Sequence, residues 1–339
     1  MSMLTRAPGA GTFLQRLREP GLLSLAVTVA LFVAMSAAGG VLYEGFLSPQ
    51  VFLNLLIDNA FLLIVAVGMT FVILSGGIDL SVGAVVAFTT VLLASLVEHH
   101  GWHPLAAIPL VLALGTGFGA LMGVLIERYR LQPFVVTLAG MFLARGAATL
   151  VSVDSIGITH GFHMAVAAIR VPLGAGASLS VAALVAMAMV ALGVVLAGST
   201  RCGRAVYAIG GSEQSAALMG LPVASTVVRV YAFSGFCSAL AGVVYTFYML
   251  SGYSLHGMGL ELDAIAAVVI GGTLLAGGSG YVLGSLFGVL VLGLIQTLIV
   301  FDGTLSSWWT RIAIGVLLLA FCLLQRLLAR NRGAATGLE

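Results

Sequence analysis

Long runs of apolar residues, separated by short polar segments, make up most of the chain. A helix of about 20 apolar residues crosses the roughly 30 Å hydrocarbon core of a bilayer. The runs are continuous and do not alternate with polar residues, which favours helices over the strands of a membrane barrel. The pattern predicts an all-α, polytopic membrane bundle of about ten transmembrane helices, near 22–43, 59–75, 80–97, 104–126, 134–153, 179–197, 226–250, 264–276, 282–301 and 308–328.

One transmembrane domain over residues 22–328 accounts for all these runs. Residues 1–21 are then a cytoplasmic N-terminal segment, and residues 329–339 are a cytoplasmic tail. The basic N-terminus resembles the start of a signal peptide. However, the apolar stretch that follows continues to Tyr43, beyond the 7–15 residues typical of a signal sequence. We interpret it as a retained first span.

The composition narrows the possible functions. The chain is 60% hydrophobic and 8% charged, whereas soluble domains carry about 25% charged residues. All fourteen basic residues are Arg, so the lysine of a nucleotide-binding P-loop or of a Schiff-base enzyme is missing. The three Cys residues lie far apart, without metal-site or redox spacing. We therefore expect no catalytic residues, no metal and no cofactor in this chain.

The arginines also predict the orientation, because short cytoplasmic loops of membrane proteins carry an excess of Arg and Lys. With the N-terminus inside, ten of the fourteen lie in cytoplasmic segments: Arg6, Arg16, Arg18, Arg128, Arg130, Arg201, Arg204, Arg326, Arg330 and Arg332. The outer loops hold Arg170, with Arg311 at the start of the last span, and they also hold all six His residues. Both termini are predicted to be cytoplasmic.

Two glycine-rich segments interrupt the apolar pattern, one in each half of the chain. The first is SGGIDLSVG at 75–83, and the second extends from Gly271 to Gly284. Paired interruptions of this kind indicate a transport pathway built from broken helices. The alternative is that the glycines only allow tight turns and close helix packing.

Asp79 is the acidic residue inside the first interruption, next to Ser81. An ionisable group between two apolar spans usually faces a cavity or a partner group. One interpretation is that Asp79 caps the following helix, and another is that it contacts the solute. In the predicted topology this interruption faces the cytoplasm, which favours a gate or hinge over an outer solute site.

Further candidates for the pathway lie toward the outside. Asn59 opens the second span, Tyr248 ends the seventh, and Glu261 and Asp263 precede the eighth. Their polar groups suit hydrogen bonds to sugar hydroxyls, although acids in a first turn also suit the helix dipole. Arg145 lies within the fifth span and requires a partner that the sequence does not identify.

The cytoplasmic segment near 198–225 contains the most specific pattern in the chain. Ser212 is placed to cap a short helix that begins at Glu213, Gly220 is placed to end it, and Pro222 prevents its continuation. The small residues Ala216 and Ala217 allow another protein to approach closely. Such a helix suits docking to a cytosolic partner, and a plain connecting loop is the alternative.

The segment 203–220, which opens with Gly203 and Arg204 and continues as YAIGGSEQSAALMG from 207, resembles the coupling-helix loop of permeases in ribose-type ABC importers. SGGIDLSVGA at 75–84, ELDAIAAVVIGGTLLAGG at 261–278 and FDGTLSSWWT at 301–310 resemble the same family, so the resemblance covers about 45–330. It implies that the contacts with an ATPase involve the positions of this loop that match the family pattern: Gly203, Arg204, Gly210, Gly211, Glu213, Ala216, Ala217 and Gly220.

The resemblance also implies a function in the bacterial inner membrane. The chain is expected to be the permease subunit of an ATP-driven importer for a monosaccharide, with galactofuranose the sugar of the permeases it resembles most. The implied partners are a cytosolic ABC ATPase that binds ATP and Mg, a second, non-identical permease subunit, a periplasmic sugar-binding protein and membrane lipid, without nucleic acid. The absence of Lys fits an arrangement in which another polypeptide binds the nucleotide.

Two other classes of protein remain as alternatives. An ion-coupled secondary sugar transporter needs a coupling site within the membrane, for which Asp79 and Arg145 are the candidates. An intramembrane enzyme needs a Ser/His, paired-Asp or metal-binding constellation within the spans. The sequence offers none, since every His lies in a predicted outer loop.

Overall fold

The computed structural model describes residues 20–174, 176–306 and 308–336. The predicted N-terminal segment lies almost entirely outside these residues. The helices in the described part are α1 (Pro20–Leu42), α2 (Pro49–Asp58), α3 (Ala60–Leu74), α4 (Val82–Glu98), α5 (Pro104–Tyr129), α6 (Pro133–Val151), α7 (Gly161–Ala168), α8 (Val181–Ser199), α9 (Arg201–Gly211), α10 (Glu213–Leu218), α11 (Val223–Met249), α12 (Leu260–Ile270), α13 (Val282–Asp302) and α14 (Trp308–Thr336).

The prediction of an all-α membrane bundle is confirmed. Within the described residues, 7 helices are long and apolar enough to span a membrane, or 8 if α2 and α3, which meet at a 59° bend, form one span. The remaining predicted spans, 80–97 and 264–276, correspond to the shorter helices α4 and α12. The count of ten is therefore not confirmed. The last helix continues to Thr336, through most of the predicted tail.

Three apolar helices that are shorter than the membrane core lie mostly buried in the bundle. Helices α3, α4 and α12 have 15, 17 and 11 residues, which at 1.5 Å per residue leaves each of them shorter than the hydrocarbon core. Of the α3 residues, only Phe61 has more than slight exposure. By contrast, only 11% of the apolar window in α1 and 6% of that in α14 is buried. Helices α3, α4 and α12 thus lie inside the bundle together with the long helices α11 and α13, whereas α1 and α14 lie on its outside.

Helices α5 and α11 pack closely against each other. A Cβ atom at Gly119 would overlap the main-chain carbonyl of Tyr231, and one at Gly235 would overlap that of Gly115. Small residues at a crossing bring two helix backbones together, which favours packing where no hydrophobic force acts between helices. This crossing holds Tyr231, which is fully buried, against the first interruption.

Four short strands lie in the segments between spans. Strand β1 (Ile156–Gly157) pairs antiparallel with β4 (Ser251–Gly252), and β2 (Arg170–Gly174) pairs antiparallel with β3 (Ala177–Ser180). Glu98 at the end of α4 anchors the segment after β1 by accepting hydrogen bonds from both main-chain and hydroxyl donors of Thr159 and from the His160 N–H.

The helix α7 that follows buries His163 completely. Its ring lies 4.8 Å from that of Phe247, and neither ring nitrogen has a hydrogen-bond partner. Desolvation and, to a smaller extent, the nearby His160 lower the pKa of His163, while Glu98 opposes the shift, and the resulting pKa is about 4. The ring is therefore neutral near pH 7 and acts as part of the apolar packing.

Candidate functional site

The predicted short helix in the cytoplasmic segment is present as α10. Its N-cap is Ser212, whose hydroxyl accepts a hydrogen bond from the Ser215 N–H at 3.2 Å. Gly220 has a positive φ of 77° just after the helix, and the N–H groups of Gly220 and Leu221 bond back to the carbonyls of Ala217 and Ala216. This is a Schellman ending, in which glycine tolerates the left-handed conformation. The capping prediction is confirmed.

The helix α9, which precedes α10, was not predicted. Thr200 caps it by accepting a hydrogen bond from the Gly203 N–H at 3.0 Å. Gly203 packs so closely on the end of α8 that a Cβ atom would overlap the carbonyls of Leu196 and Ala197. The threonine before this segment is a capping signal that favours a helix. The two glycines at its end disfavour a helix and are typical of a loop.

Glycines from three distant parts of the chain meet at one place, which we call the glycine junction: Gly76, Gly210, Gly211, Gly277 and Gly278. The Gly278 N–H donates to the Leu74 carbonyl at 2.9 Å, which joins the two interruptions directly. A Cβ atom at Gly210 would overlap that carbonyl and would approach the Gly278 nitrogen to 2.5 Å. The coupling segment therefore rests on both interruptions.

A side chain strengthens the same contact. The Tyr207 hydroxyl, on α9, donates to the Gly280 carbonyl at 2.8 Å. Gly280 belongs to the irregular segment between α12 and α13, whose Leu274 N–H bonds to the Ser279 carbonyl at 2.9 Å. Helix α9 is thus attached to the second interruption at two points. Tyr207 was not predicted as a site residue, although a tyrosine on the buried side of an amphipathic helix was the available signal.

The predicted coupling residues divide into two groups. Gly203 and Gly210 face the bundle, and Ala216 is completely buried beside Ile209 and Val223. In this structure Ala216 holds α10 on the bundle and offers no surface to another protein. The exposed members, which remain available to a partner, are Arg204, Gly211, Glu213, Ala217 and Gly220.

Two exposed apolar residues at the end of α10 were not predicted. Leu218 is 85% exposed and Met219 is 69% exposed, although both lie in a cytoplasmic segment. A pair of large apolar side chains in water is typical of an interaction surface. The signal was present in the sequence as Leu-Met after two alanines, but only the structure shows that neither side chain turns inward.

Asp79 lies inside the bundle, at 2% exposure. Its carboxylate accepts hydrogen bonds from the Ser81 N–H at 2.9 Å, the Ser81 hydroxyl at 2.6 Å and the Ser234 hydroxyl at 2.7 Å. Ser234 is near the middle of the 27-residue helix α11, so the chain after Gly77 returns toward the centre of the bundle. Asp79 thus holds the main chain at Ser81, which is itself the N-cap residue of α4, so Asp79 precedes the N-cap position and does not occupy it. Enclosed by these contacts, Asp79 is not open to solvent in this structure.

A cavity of about 770 Å³ lies between α2, α3, α11, α12, α13 and α14. It brings together three of the predicted pathway residues, Asn59, Tyr248 and Asp263. The Tyr248 hydroxyl donates to Asp58 at 3.1 Å, and Arg311 pairs with Asp263 at 2.5 Å. The wall combines these polar groups with apolar side chains, which is the usual composition of a small-molecule site.

Five polar residues of this cavity were not predicted as pathway residues: Asn54, Gln296, Thr297, Thr310 and Arg311. Gln296 and Thr297 interrupt an otherwise apolar span, which is a readable signal in the sequence. The sequence pattern identifies Arg311 only as the start of the last span. Its pairing with Asp263 joins residues 48 positions apart, which no local pattern reveals.

Glu261 does not line this cavity. It packs against Gly83 at the start of α4, and its Oε2 atom is buried without a hydrogen-bond partner. Arg145 of α6 lies electrostatically close to it and donates to the carbonyls of Ser254 and His256 at 2.7 and 2.8 Å. The partner that the sequence left open is therefore the main chain before α12, with Glu261 as the nearby charge.

Comparison with known proteins is consistent with this architecture. A family model described as "Branched-chain amino acid transport system / permease component" matches residues 51–322. No solved structure matches the chain.

Curated relatives match the chain over nearly its whole length. The chain is 53% identical to the inner membrane ABC transporter permease protein YjfF of Escherichia coli K12, over 90% of this chain and 92% of the relative. It is 42% identical to the fructose import permease protein FruG of Bifidobacterium longum, over 95% and 94%. It is 40% identical to the ribose import permease protein RbsC of Bacillus subtilis, over 84% and 88%. The chain therefore belongs to this family of transport-system permease components, and within it to the ribose-type ABC importer permeases.

Proposed function

We propose that this chain forms the translocation pathway of an ATP-driven monosaccharide importer, together with a second, non-identical permease subunit. Permease components of this family are not enzymes, and ATP hydrolysis belongs to a separate subunit. The chain is a multi-pass protein of the bacterial inner membrane. The partners we propose are a cytosolic ABC ATPase, which binds ATP and Mg, and a periplasmic sugar-binding protein.

The glycine junction is the observation that supports this proposal most strongly. An ATPase drives transport only if its nucleotide states favour different states of the pathway. Helix α9 contacts the end of α3 through Leu74 and the segment before α13 through Gly278 and Gly280. A displacement of the α9–α10 segment therefore displaces both interruptions, because the contacts join main-chain atoms directly. No flexible side chain lies between them that could change rotamer instead.

The outer cavity supports a sugar as the solute. Its volume lies within the range of about 300–1,000 Å³ that small-molecule sites occupy. Carboxylate, amide and phenol groups from Asp58, Asn59 and Tyr248 offer both donors and acceptors for hydroxyl groups. We propose that a sugar delivered from outside passes these residues.

We further propose galactofuranose as the sugar. This rests on the resemblance of the four sequence motifs to galactofuranose permeases. The names of two other relatives specify fructose and ribose. The relatives as a group therefore support a monosaccharide, and the choice of galactofuranose depends on the motifs alone.

An ion-coupled secondary transporter receives no support from the described residues. The Asp79 carboxylate is engaged by two serines, and the Arg145 guanidinium by two carbonyls. Both candidates for a coupling site therefore have a structural role.

Uptake by proteoliposomes containing the assembled importer tests the proposal. With the binding protein outside and ATP inside, radiolabelled galactofuranose should accumulate, and ribose and fructose should accumulate more slowly. An ATPase subunit with an inactivated catalytic residue should abolish uptake. Accumulation that persists with the inactive ATPase, and collapses with an ionophore, would show a secondary transporter instead. ATP-driven uptake of ribose alone would contradict only the choice of sugar.

A further inference from the structure

A groove of about 670 Å³ lies between the C-terminal end of α5 and the first turns of α11. It is remote from the outer cavity and shares none of its residues. The groove is lined by Val124, Glu127, Arg128, Arg130, Ala224, Ser225, Val228 and Arg229. Three arginines from two neighbouring helices thus meet in one concave surface.

The charges of this groove are not balanced within the described residues. Arg130 is paired with Glu127 at 3.3 Å and with Glu213 at 2.7 Å. Arg128 and Arg229 are exposed and form no ion pair with any residue that the structure describes. The groove therefore carries an excess of positive charge that comes from these two side chains.

The groove also has an apolar lining. Val124, Ala224 and Val228 contribute to it, and Val124 is 44% exposed. Both α5 and α11 are long enough to span the bilayer, and the ends that form the groove adjoin helix α10, in the segment predicted to be cytoplasmic, through Arg130 and Glu213. In that topology Arg128 lies at the cytoplasmic end of α5, and Val124 lies one turn deeper, on the side of the acyl chains.

We propose that this groove binds the headgroup of an anionic phospholipid of the cytoplasmic leaflet, with Arg128 and Arg229 on the phosphate and an acyl chain along Val124 and Val228. Basic pockets between transmembrane helices on the cytoplasmic side bind such headgroups. Arginine suits the task because its planar guanidinium donates two parallel hydrogen bonds to phosphate. A soluble anion would use the arginines but not the apolar wall, and this favours lipid as the occupant.

Lipid titration of the purified full-length chain, followed by native mass spectrometry, tests the proposal. The probes are phosphatidylglycerol and phosphatidylcholine with identical acyl chains. The wild type should prefer phosphatidylglycerol, and the double variant Arg128→Gln/Arg229→Gln should bind it about 25-fold more weakly, from about 1 kcal/mol per basic residue. The affinity for phosphatidylcholine should not change.

The matched control is Arg201→Gln/Arg326→Gln, which removes two exposed cytoplasmic arginines outside the groove. It should bind phosphatidylglycerol as the wild type does. Equal weakening in both double variants, or none in the groove variant, would overturn the proposal. Thermal unfolding of each variant verifies that a weaker affinity does not reflect an unfolded protein.

Two further experiments distinguish a lipid from other anionic molecules that could occupy the groove. Inorganic phosphate, added against chloride at the same ionic strength, should not displace phosphatidylglycerol, and displacement would identify a soluble phosphate site instead. If the groove variant loses the ATPase subunit on co-purification but retains phosphatidylglycerol, the groove is an ATPase contact and the lipid proposal is wrong. Neither result depends on which sugar is transported.

Discussion

At the scale of single residues, small side chains determine how closely the elements approach. Gly119 and Gly235 at the α5–α11 crossing, and Gly210, Gly277 and Gly278 in the glycine junction, face main-chain atoms that leave no room for even one methyl group. Other glycines on the same helices face open space. The sequence alone does not distinguish the two kinds, because both stand in similar apolar surroundings.

Gly119 and Gly117 of α5 provide a direct comparison. A methyl group at Gly119 meets the Tyr231 carbonyl and the Gly235 Cα, whereas nothing lies within 4 Å of one at Gly117. Gly119→Ala should therefore destabilise the protein by about 1–3 kcal/mol. Gly117→Ala should be neutral or stabilising by up to about 1 kcal/mol, because alanine favours the helix. Thermal unfolding in detergent measures the stability of both variants. Equal changes in stability would contradict the close packing of α5 on α11.

His163 makes the stability of the outer segment depend on pH. Its pKa in the folded protein is about 4, below the usual value of 6.5, so the unfolded chain binds a proton between these values and the folded chain does not. Stability should fall as the pH decreases from about 6.5 to 4, with a loss near 2 kcal/mol at pH 5.

The variant His163→Phe removes this proton-binding group and keeps an aromatic ring beside Phe247. It should lose less stability than the wild type between pH 7.5 and pH 5, as measured by the melting temperature at each pH. The exposed residue His99 supplies the control, since His99→Phe leaves the buried ring in place. If the melting temperatures of the wild type and of His163→Phe change equally with pH, the buried His163 ring does not cause the pH dependence of stability.

At the scale of elements, the unwound segment between α3 and α4 is held by a few polar contacts. Asp79 is linked to α11 through Ser234, and Gly77 lies against the Tyr231 hydroxyl. The sequence identified this interruption and singled out Asp79 within it, but the N-cap residue of α4 is Ser81. It did not predict that the segment returns to the middle of α11, because contacts between residues 155 positions apart leave no trace in local periodicity.

Two serines of α11 allow the link to be tested. Ser234→Ala removes a donor from a buried carboxylate and should cost about 1–3 kcal/mol. Ser238→Ala removes only a bond to the carbonyl one turn earlier in the same helix, and its cost should be smaller. Chemical or thermal unfolding of both variants gives the comparison. A larger loss of stability for Ser238→Ala than for Ser234→Ala would contradict the link between Asp79 and α11.

Helix α10 is expected to act through its exposed end. Replacing Leu218 and Met219 by Ser should weaken ATPase binding by about 10- to 100-fold, since truncated hot-spot residues cost about 1–3 kcal/mol. A control on the outer side is Leu255→Ser/Met258→Ser, which also removes two exposed apolar side chains. Co-purification with the ATPase subunit, followed by a binding titration, measures the difference. ATPase affinities that do not differ between the two double variants would place the docking surface elsewhere.

At the scale of the whole molecule, the apolar pattern predicted the helical bundle and most helix positions. The count of ten spans is not confirmed, because the strongly apolar segments 80–97 and 264–276 form shorter helices. Hydropathy does not separate a helix in lipid from one in a protein core. The cavity was predicted only in part, since Gln296, Thr297 and Arg311 enter it through tertiary packing.

The central claim is that α9 transmits the movement of an ATPase to both interruptions through the glycine junction. ATP-driven sugar uptake by proteoliposomes that contain the assembled importer with Gly210→Ala tests it most directly. A methyl group at Gly210 overlaps the Leu74 carbonyl, whereas Gly198→Ala in α8 meets open space and serves as the control. The Gly210 variant should retain its ATPase subunit and lose at least about tenfold in sugar transported per ATP hydrolysed, equivalent to about 1.4 kcal/mol, while Gly198→Ala transports as the wild type does. An unchanged ratio of sugar to ATP in an assembled Gly210→Ala importer would contradict the claim.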